Sequence, residues 1–309
     1  MSDLPIKISL PENFLKEEVR CGHTVSTEIK AVWAVELDLL VEFDNVCNKL
    51  GIKYCLDGGT LLGSIRHQGF IPWDDDIDVI MLREDYDILL QKGKELFCFP
   101  YFLQTYETDN GYFRPHSQIR NSLTTGVLNS EKGKVSFNQG IFIDVFVLDG
   151  LTTDNYLLQK QIDKQNRISD LFYKMYNYGY YCNKGHNLEY RLKEIRAKIL
   201  RLIIHKTARQ LYIERDQIIK SYNAFNTSEY VDAIGFRTII SKVKYLRREW
   251  FANTTYGSFE GFRFRIPQNY DMVLKEYFGE NYLIPEKLAN KHGKVIFDPY
   301  KSYIDYLKN

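Results

Sequence analysis

Three acidic side chains in this sequence stand beside or inside apolar segments, where carboxylates are unusual. Two of them, Asp76 and Asp78, end the run Asp74–Asp78, which leads directly into the apolar residues VIML. If DIDV is a strand, these two carboxylates share one face, about 6.5–7 Å apart. Carboxylates repel by roughly 4 kcal/mol at about 4 Å and an effective dielectric of about 20, so such a pair is costly without a counter-cation. Hard oxygen ligands suit Mg²⁺ or Mn²⁺, and the alternative is a solvated acidic loop.

The third carboxylate, Asp144, lies in the middle of the segment IFIDVFVL, which is predicted to be a strand. Side chains alternate along a strand, so the apolar residues at 141, 143, 145 and 147 share one face, and Asp144 lies between Phe142 and Phe146 on the other. A carboxylate in this position is either a core aspartate satisfied by backbone or arginine partners, or part of a site on that face.

A glycine turn, Gly58-Gly59-Thr60, separates the predicted strand IKYCLD from the predicted short helix TLLGSIR. Glycine lets backbone N–H groups approach a ligand closely, and a helix N-terminus attracts anions, so the turn could seat a phosphate. A bare Gly-Gly pair is also typical of an ordinary strand-to-helix turn. Two carboxylates on one strand, a third on a neighbouring strand and a phosphate seat together indicate a two-metal site for phosphoryl transfer.

The remaining pattern predicts the elements that position these residues. Residues 1–26 are expected to be an irregular arm, followed by a helix from Thr27 that Gly51 ends. Helical and strand patterns then mix up to residue 151, long helical patterns fill 152–228, and short strands with a hairpin in TYGSFEGFRFRIP and a helix in NYDMVLKEYFG return in 229–309. The prediction is an α+β fold with a core at 27–151, a helical subdomain at 152–228, and a C-terminal segment that returns to complete the core.

Composition excludes several other classes of protein. Formal net charge is +1, which argues against a general nucleic-acid partner, and the aromatic content suits an ordered chain. Five scattered cysteines without a C-x-x-C pair argue against a zinc cluster or a disulfide framework and favour a reducing compartment. With no signal-like N-terminus and no apolar run near about 20 residues, we expect a cytoplasmic protein, at most peripheral at the inner face of the membrane.

The stretch LDGGTLLGSIRHQGFIPWDDDIDVIMLREDY resembles the signature of the LicD family, whose relatives include the fukutin and fukutin-related proteins. GIFIDVFVLDG resembles the later acidic strand of that family, and FRIPQNYDMVLKEYFGENY, followed by His292, resembles its C-terminal segment. The resemblance covers roughly residues 50–90, 140–150 and 255–295 and leaves out the helical middle. The segment IRHQGFIPWD between the glycine turn and the acidic strand is itself family-like, whereas Leu82 stands where many members have proline.

The resemblance implies a nucleotidyltransferase-like core that transfers a phospho-alcohol, usually phosphocholine, from a CDP-activated donor to a sugar hydroxyl. Typical acceptors are teichoic acid, lipopolysaccharide or capsule precursors, which would be lipid-linked glycans. On this basis Gly58, Gly59 and Thr60 match the glycine motif, Asp76 and Asp78 the metal-binding pair, and Asp144 the third carboxylate, as base or as ligand of the activating cation.

Secondary candidates surround this motif. Arg66 and His67 could contact phosphate or lie on the surface, and Trp73 could pack against a choline headgroup by cation–π attraction or be purely structural. His292 is carried by the resemblance as a nucleotide or phosphate contact. The histidines at 116 and 186 show no ligand spacing and are interpreted as structural or exposed.

The segment 191–209 is strongly basic, with seven Lys or Arg against Glu194. A basic amphipathic helix could lie on anionic lipid, where a lipid-linked acceptor is found, or could be the outer face of a helical bundle.

Other functions remain open at this point. A metal-dependent nucleotide-sugar glycosyltransferase would explain Asp76 and Asp78 but neither the glycine turn nor Asp144. The donor could carry ribitol or glycerol phosphate instead of choline. An inactive scaffold is not supported, since all three carboxylates are present. The sequence does not indicate an oligomeric state.

Overall fold

The computed structural model describes residues 3–133, 135–176, 188–223, 229–235, 243–285 and 295–308. Helices and a mixed sheet both contribute, which confirms the α+β prediction. The helices are α1 (Thr27–Leu50), α2 (Gly58–Arg66), α3 (Arg83–Lys92), α4 (Asn155–Met175), α5 (Leu188–Ile204), α6 (Ala208–Ile219), α7 (Glu249–Ala252), α8 (Tyr270–Phe278) and α9 (Tyr303–Lys308). The strands are β1 (Glu18–Arg20), β2 (His23–Val25), β3 (Cys55–Leu56), β4 (Asp78–Leu82), β5 (Tyr101–Gln104), β6 (Ser117–Asn121), β7 (Thr125–Leu128), β8 (Ile141–Gly150), β9 (Tyr230–Asp232), β10 (Leu246–Arg247), β11 (Thr254–Phe259), β12 (Phe262–Pro267) and β13 (Val295–Asp298).

Strand β8 is the centre of the main sheet. It pairs in parallel with β4, which in turn pairs antiparallel with β3, and it pairs antiparallel with β6, which is followed by β5. The far end of β8 pairs with β9, and β9 pairs with β10. Strands from residues 229–247 therefore extend the sheet that residues 55–150 begin, while the domain boundaries given above stay a prediction.

Helix α1 forms the main support under this sheet. Ser26 caps its N-terminus by accepting a hydrogen bond from Ile29 N, and Gly51 ends it in the left-handed region at φ 66°. The predicted start and stop are thus confirmed. The helix is buried over most of its first half, including Trp33 and Glu36. A carboxylate in that position is unusual and lies close to the site described below.

The N-terminal arm is more ordered than predicted. Strands β1 and β2 form a short hairpin, and Arg20 on β1 makes a bidentate contact with the carboxylate of Glu260 in the turn between β11 and β12. Glu260 also accepts a hydrogen bond from Phe70 N at 3.0 Å. The prediction of an irregular arm failed because three-residue strands leave little periodicity, and because Glu260, which holds the hairpin through Arg20, lies far away along the chain.

The hairpin predicted in TYGSFEGFRFRIP is confirmed as β11 and β12, and the helix predicted after it as α8. Strand β7 was not predicted; its partner is β13, which is distant in sequence. Helices α4, α5 and α6 occupy the region where helical patterns were predicted, and their aromatic side chains join those of the core at Phe113, which stacks on Phe172 with ring centroids 3.5 Å apart.

Candidate active site

Asp78 and Asp144 lie side by side on neighbouring strands. Asp78 begins β4, and the parallel register pairs it directly with Asp144 of β8. Residues paired in a parallel register point to the same sheet face, and adjacent strands lie about 4.8 Å apart. The opposite face of β8 is closed, since Ile141, Ile143 and Val145 are fully buried, whereas the Asp144 side chain is 18% exposed. The two carboxylates therefore meet on the accessible side of the sheet.

Backbone hydrogen bonds fix both residues. Asp57 N donates to Asp78 O at 3.0 Å, and Asp78 N donates to the hydroxyl of Thr60 at 2.9 Å. Asp144 N donates to Ile77 O at 3.0 Å. Thr60, predicted to bind substrate, is buried and positions Asp78 instead of facing solvent. The turn, β4 and β8 thus hold the two carboxylates in one rigid arrangement.

The glycine turn faces these acids. Gly58 has φ +50°, a conformation that L side chains rarely adopt, and a Cβ built on it would lie 3.5 Å from Asp78 Oδ2. A Cβ on Gly59 would lie 2.5 Å from Asp74 Oδ2, closer than real Cβ contacts. Both glycines begin α2, so the first N–H groups of that helix lie beside the carboxylates. The structure brings the predicted phosphate seat and the predicted acids together.

Asp76 differs from the prediction. Strand β4 begins at Asp78, so Asp76 lies two residues before it, and strand alternation does not apply to that pair. Its carboxylate interacts with that of Asp74 by a side-chain hydrogen bond. Burial, with repulsion from Asp75, raises the pKa of Asp74 to about 6 despite this bond. Asp74 was not among the predicted site residues, although its place in the acidic run was a usable signal.

Acidic neighbours dominate the electrostatics of Asp78. Burial, followed by repulsion from Asp76 and Asp144, raises the pKa of Asp78 well above its ordinary value. Burial disfavours the ionised carboxylate, and the neighbouring negative charges disfavour it further. A divalent cation would supply a compensating positive charge.

Glu36 on α1 is a further acid that the sequence did not reveal. It is 1% exposed, and its Oε2 finds no hydrogen-bond partner among the residues that the structure describes. Trp33, one turn earlier on the same helix face, donates from its indole nitrogen to Asp74 O at 3.1 Å, which places this face of α1 against the acidic run. Burial, and then repulsion from Asp76 and Asp75, raises the pKa of Glu36 well above its ordinary value.

Asp144 has polar partners on its other side. Gln118 donates to Asp144 Oδ1 at 2.6 Å, and His116 Nε2 lies 3.2 Å from the same oxygen. Burial alone would raise the pKa of Asp144, but His116, Arg114 and the Gln118 hydrogen bond outweigh it and hold that pKa below its ordinary value. His116, interpreted from the sequence as structural or exposed, is buried immediately before β6, and the pairing of β6 with β8 brings it beside Asp144. Asp144 is kept ionised, as a cation ligand must be.

The carboxylates of the site suit a divalent cation that prefers oxygen ligands. Carboxylate oxygens from Asp78, Asp144 and Asp76 suit Mg²⁺ or Mn²⁺. Within the described ranges, no three His, Cys, Asp or Glu side chains are grouped so that they alone could hold a metal ion. Mg²⁺ is usually held by one or two carboxylates together with substrate phosphates and water rather than by an all-protein cage. The Asp78–Asp144 pair beside the glycine turn fits that mode of binding.

The other residues predicted to contact substrate differ in their surroundings. Arg66 donates to the carbonyls of Tyr282 and Ile284 at 3.0 and 3.3 Å, so its guanidinium ties α2 to the C-terminal segment. The rings of Trp73 and His67 meet edge to face at 6.4 Å, with Trp73 packed against the core, and burial lowers the pKa of His67. His292 lies outside the described residues, as does the histidine at 186.

Comparisons with known proteins point to one family of transferases. A family profile described as "LicD/FKTN/FKRP, nucleotidyltransferase domain" matches residues 51–146, which include the glycine turn and all three predicted carboxylates. The lipopolysaccharide cholinephosphotransferase LicD of Haemophilus influenzae is 28% identical over 267 residues, covering 82% of this chain and 91% of that protein. The human ribitol 5-phosphate transferase FKRP is 48% identical over 40 residues, covering 13% of this chain and 8% of FKRP. Residues 51–146 thus match the LicD family domain, and most of the chain is similar to a LicD cholinephosphotransferase.

Proposed function

We propose that this protein transfers a phospho-alcohol from a CDP-activated donor to a sugar hydroxyl, with phosphocholine from CDP-choline as the donor group and CMP as the leaving product. The observation that carries the proposal is the pairing of Asp78 with Asp144 on one open sheet face, beside the glycine turn. The Haemophilus relative, matched over nearly its whole length and named a cholinephosphotransferase, supports choline as the alcohol.

Each part of the site has a role in this reaction. The first N–H groups of α2, freed by Gly58 and Gly59, bind the diphosphate of the donor. Asp78 and Asp144 would hold Mg²⁺ or Mn²⁺, with Asp76 as the third proposed carboxylate ligand. When bound, the cations neutralise phosphate charge and lower the pKa of the attacking hydroxyl. His116 and Gln118 keep Asp144 ionised and oriented.

The chemical step is a displacement at phosphorus. The acceptor oxygen forms a bond to the choline-bearing phosphorus, and the bond from that phosphorus to the bridging oxygen breaks. CMP leaves with the bonding electron pair, and a carboxylate of the site takes up the hydroxyl proton. Little covalent chemistry is asked of the protein, so positioning and charge stabilisation supply most of the rate enhancement.

We propose a precursor of a cell-surface glycan as acceptor: lipopolysaccharide, teichoic acid or capsule. The Haemophilus relative is named for lipopolysaccharide, which supports the first of these. FKRP is named as a ribitol 5-phosphate transferase, so CDP-ribitol, and by chemical analogy CDP-glycerol, are the alternative donors. A nucleotide-sugar glycosyltransferase would leave the glycine turn and the Asp144 position without a role.

A donor screen tests the proposal. The protein with Mg²⁺ or Mn²⁺ is incubated with CDP-choline, CDP-ribitol, CDP-glycerol or a UDP-sugar and a glycan acceptor, and nucleotide release is followed. We expect acceptor-dependent CMP release from CDP-choline that Asp78→Asn abolishes and that the surface variant Asp170→Asn leaves unchanged, since Asp170 is 59% exposed on α4. Release of UDP alone would support the glycosyltransferase, and no release from any donor would support an inactive scaffold.

A further inference from the structure

Helix α5 exposes a continuous apolar stripe. Its six members are each 49–72% exposed: Leu188, Leu192, Ile195, Ile199, Leu202 and Ile203. At about 100° per residue they fall within an arc of about 100° along the whole helix. Isolated exposed apolar residues are ordinary, but a contiguous stripe on a surface marks a place of interaction.

This stripe is not the face by which α5 joins the protein. Ala197 is fully buried, and Leu200 and Ile204 pack against the aromatic cluster that includes Phe113 and Phe172. These three residues lie on the opposite side of the helix from the exposed stripe. Helix α5 is therefore apolar on two sides, and its internal packing requires only one of them.

Cations border the stripe on both sides. By the same helical spacing, Arg191 and Lys198 lie along one edge, and Arg196 lies along the other. The helix carries five Lys or Arg against two Glu, and the segment 191–209 carries seven against one. Lysine and arginine stems can extend along an apolar surface while their charged ends reach outward to anions.

We propose that α5 lies flat on an anionic lipid surface, with the stripe in the acyl boundary and the bordering cations on the lipid phosphates. An apolar face between two cationic edges complements such a surface in both respects. No described helix is long and apolar enough to cross a membrane, and the proposal requires only contact in the plane. A second copy of the chain fits less well, because packing stripe on stripe would bring like-charged edges together.

Membrane contact goes beyond the proposed transfer reaction and stands independently of it. The stripe and its cations belong to α5, whereas the candidate active site is built from α1, α2, β4, β6 and β8. If the reaction is as proposed, a lipid-bound position would place the enzyme on the surface that carries a lipid-linked acceptor. Each part can fail without the other.

Vesicle flotation tests the membrane proposal. The full chain is mixed at low salt with vesicles of phosphatidylglycerol and phosphatidylcholine, or of phosphatidylcholine alone. We expect flotation with the anionic vesicles, and a fall in vesicle affinity of about tenfold or more for Arg191→Gln with Arg196→Gln. Ile195→Gln with Ile199→Gln should lower it at least as much, because this variant removes apolar surface from the centre of the stripe.

Matched control variants distinguish vesicle binding through α5 from nonspecific hydrophobic adsorption. Val19→Gln with Ile304→Gln removes apolar side chains of similar exposure, 68% and 50%, outside α5 and should float like the wild type. Circular dichroism and release of CMP with a soluble acceptor check the fold and the active site of each variant. Equal flotation of the stripe variant and the wild type would overturn the proposal. A wild-type protein that does not float with anionic vesicles would also overturn it. The same holds if light scattering shows that the protein forms a dimer through the stripe and does not bind the vesicles.

Discussion

Two regions of this protein depart from the usual distribution of polar and apolar groups, in opposite directions. The carboxylate cluster (Asp74, Asp76, Asp78, Asp144 and Glu36) buries negative charge against an apolar sheet, and the α5 stripe exposes large apolar side chains to water. Each arrangement is unfavourable for the isolated chain. Each arrangement therefore indicates the partner that would offset it: cations and a diphosphate for the carboxylate cluster, and a lipid surface for the α5 stripe.

Strand β8 supplies an internal standard for this comparison. Asp149, five residues after Asp144, is fully buried and receives a bidentate contact from Arg83, with both N–O distances at 2.7 Å. Its charge is balanced within the chain. Asp144 has Gln118 and His116 on one side but pairs with Asp78, whose neighbours are mainly acidic, so β8 carries both a carboxylate with a structural role and a carboxylate available for a ligand.

The largest expected effect is on catalysis. Asp78→Asn or Asp144→Asn should lower the rate of CMP release by about 10³-fold or more, because either removes a charge that holds the cations which neutralise the transferred group. The measurement is steady-state turnover with saturating donor, with Asp170→Asn as control. Full turnover in Asp144→Asn would show that Asp144 is an ordinary core aspartate without a role in catalysis.

The next effect is on stability. Arg83→Met should lower the free energy of unfolding by about 3–5 kcal/mol, because it leaves Asp149 buried without its charge partner. The exposed pair between Lys174 and Asp170 gives the matched control: Lys174→Met should cost less than about 1 kcal/mol. Urea unfolding in chelator measures both. An equal decrease in the free energy of unfolding for Arg83→Met and Lys174→Met would mean that burial does not determine how much an ion pair stabilises this protein.

Glu36 tests how far the cluster extends beneath the sheet. Glu36→Gln should weaken Mn²⁺ binding about 10- to 100-fold while leaving circular dichroism unchanged, because it replaces a buried carboxyl group that a nearby cation would favour in its ionised form. Glu42→Gln on the same helix is the control. Unchanged Mn²⁺ affinity in Glu36→Gln would restrict the cluster to the acidic run and Asp144.

The smallest predicted effect is an increase in stability. In chelator, Asp78→Asn should raise the free energy of unfolding by about 1 kcal/mol, since it relieves repulsion from Asp76 and Asp144 without changing shape. The same urea titration measures it. Destabilisation by Asp78→Asn in the absence of cation would show that this carboxylate has a structural role like that of Asp149.

Those features of the site and fold that depend on neighbouring residues in the chain could be predicted from the sequence. The glycine turn, the acidic run and Asp144 lie within short motifs, and the caps of α1 are encoded by Ser26 and Gly51 themselves. Glu36 and His116 could not be found in this way, since only packing of α1 and pairing of β6 with β8 bring them to the site. Strand β7 was missed for the same reason, its partner being distant. The stripe on α5 became visible once burial showed which apolar face packs inward.

Mn²⁺ affinity is the property that shows whether Asp78 holds the cation on which the proposed reaction depends. Electron paramagnetic resonance of Mn²⁺ with CDP-choline would compare the wild type, Asp78→Asn and Asp170→Asn at equal concentration. We predict saturable binding by the wild type and Asp170→Asn that the donor strengthens, and binding at least about tenfold weaker in Asp78→Asn. Equal Mn²⁺ affinity in Asp78→Asn and the wild type, with or without CDP-choline, would contradict the account.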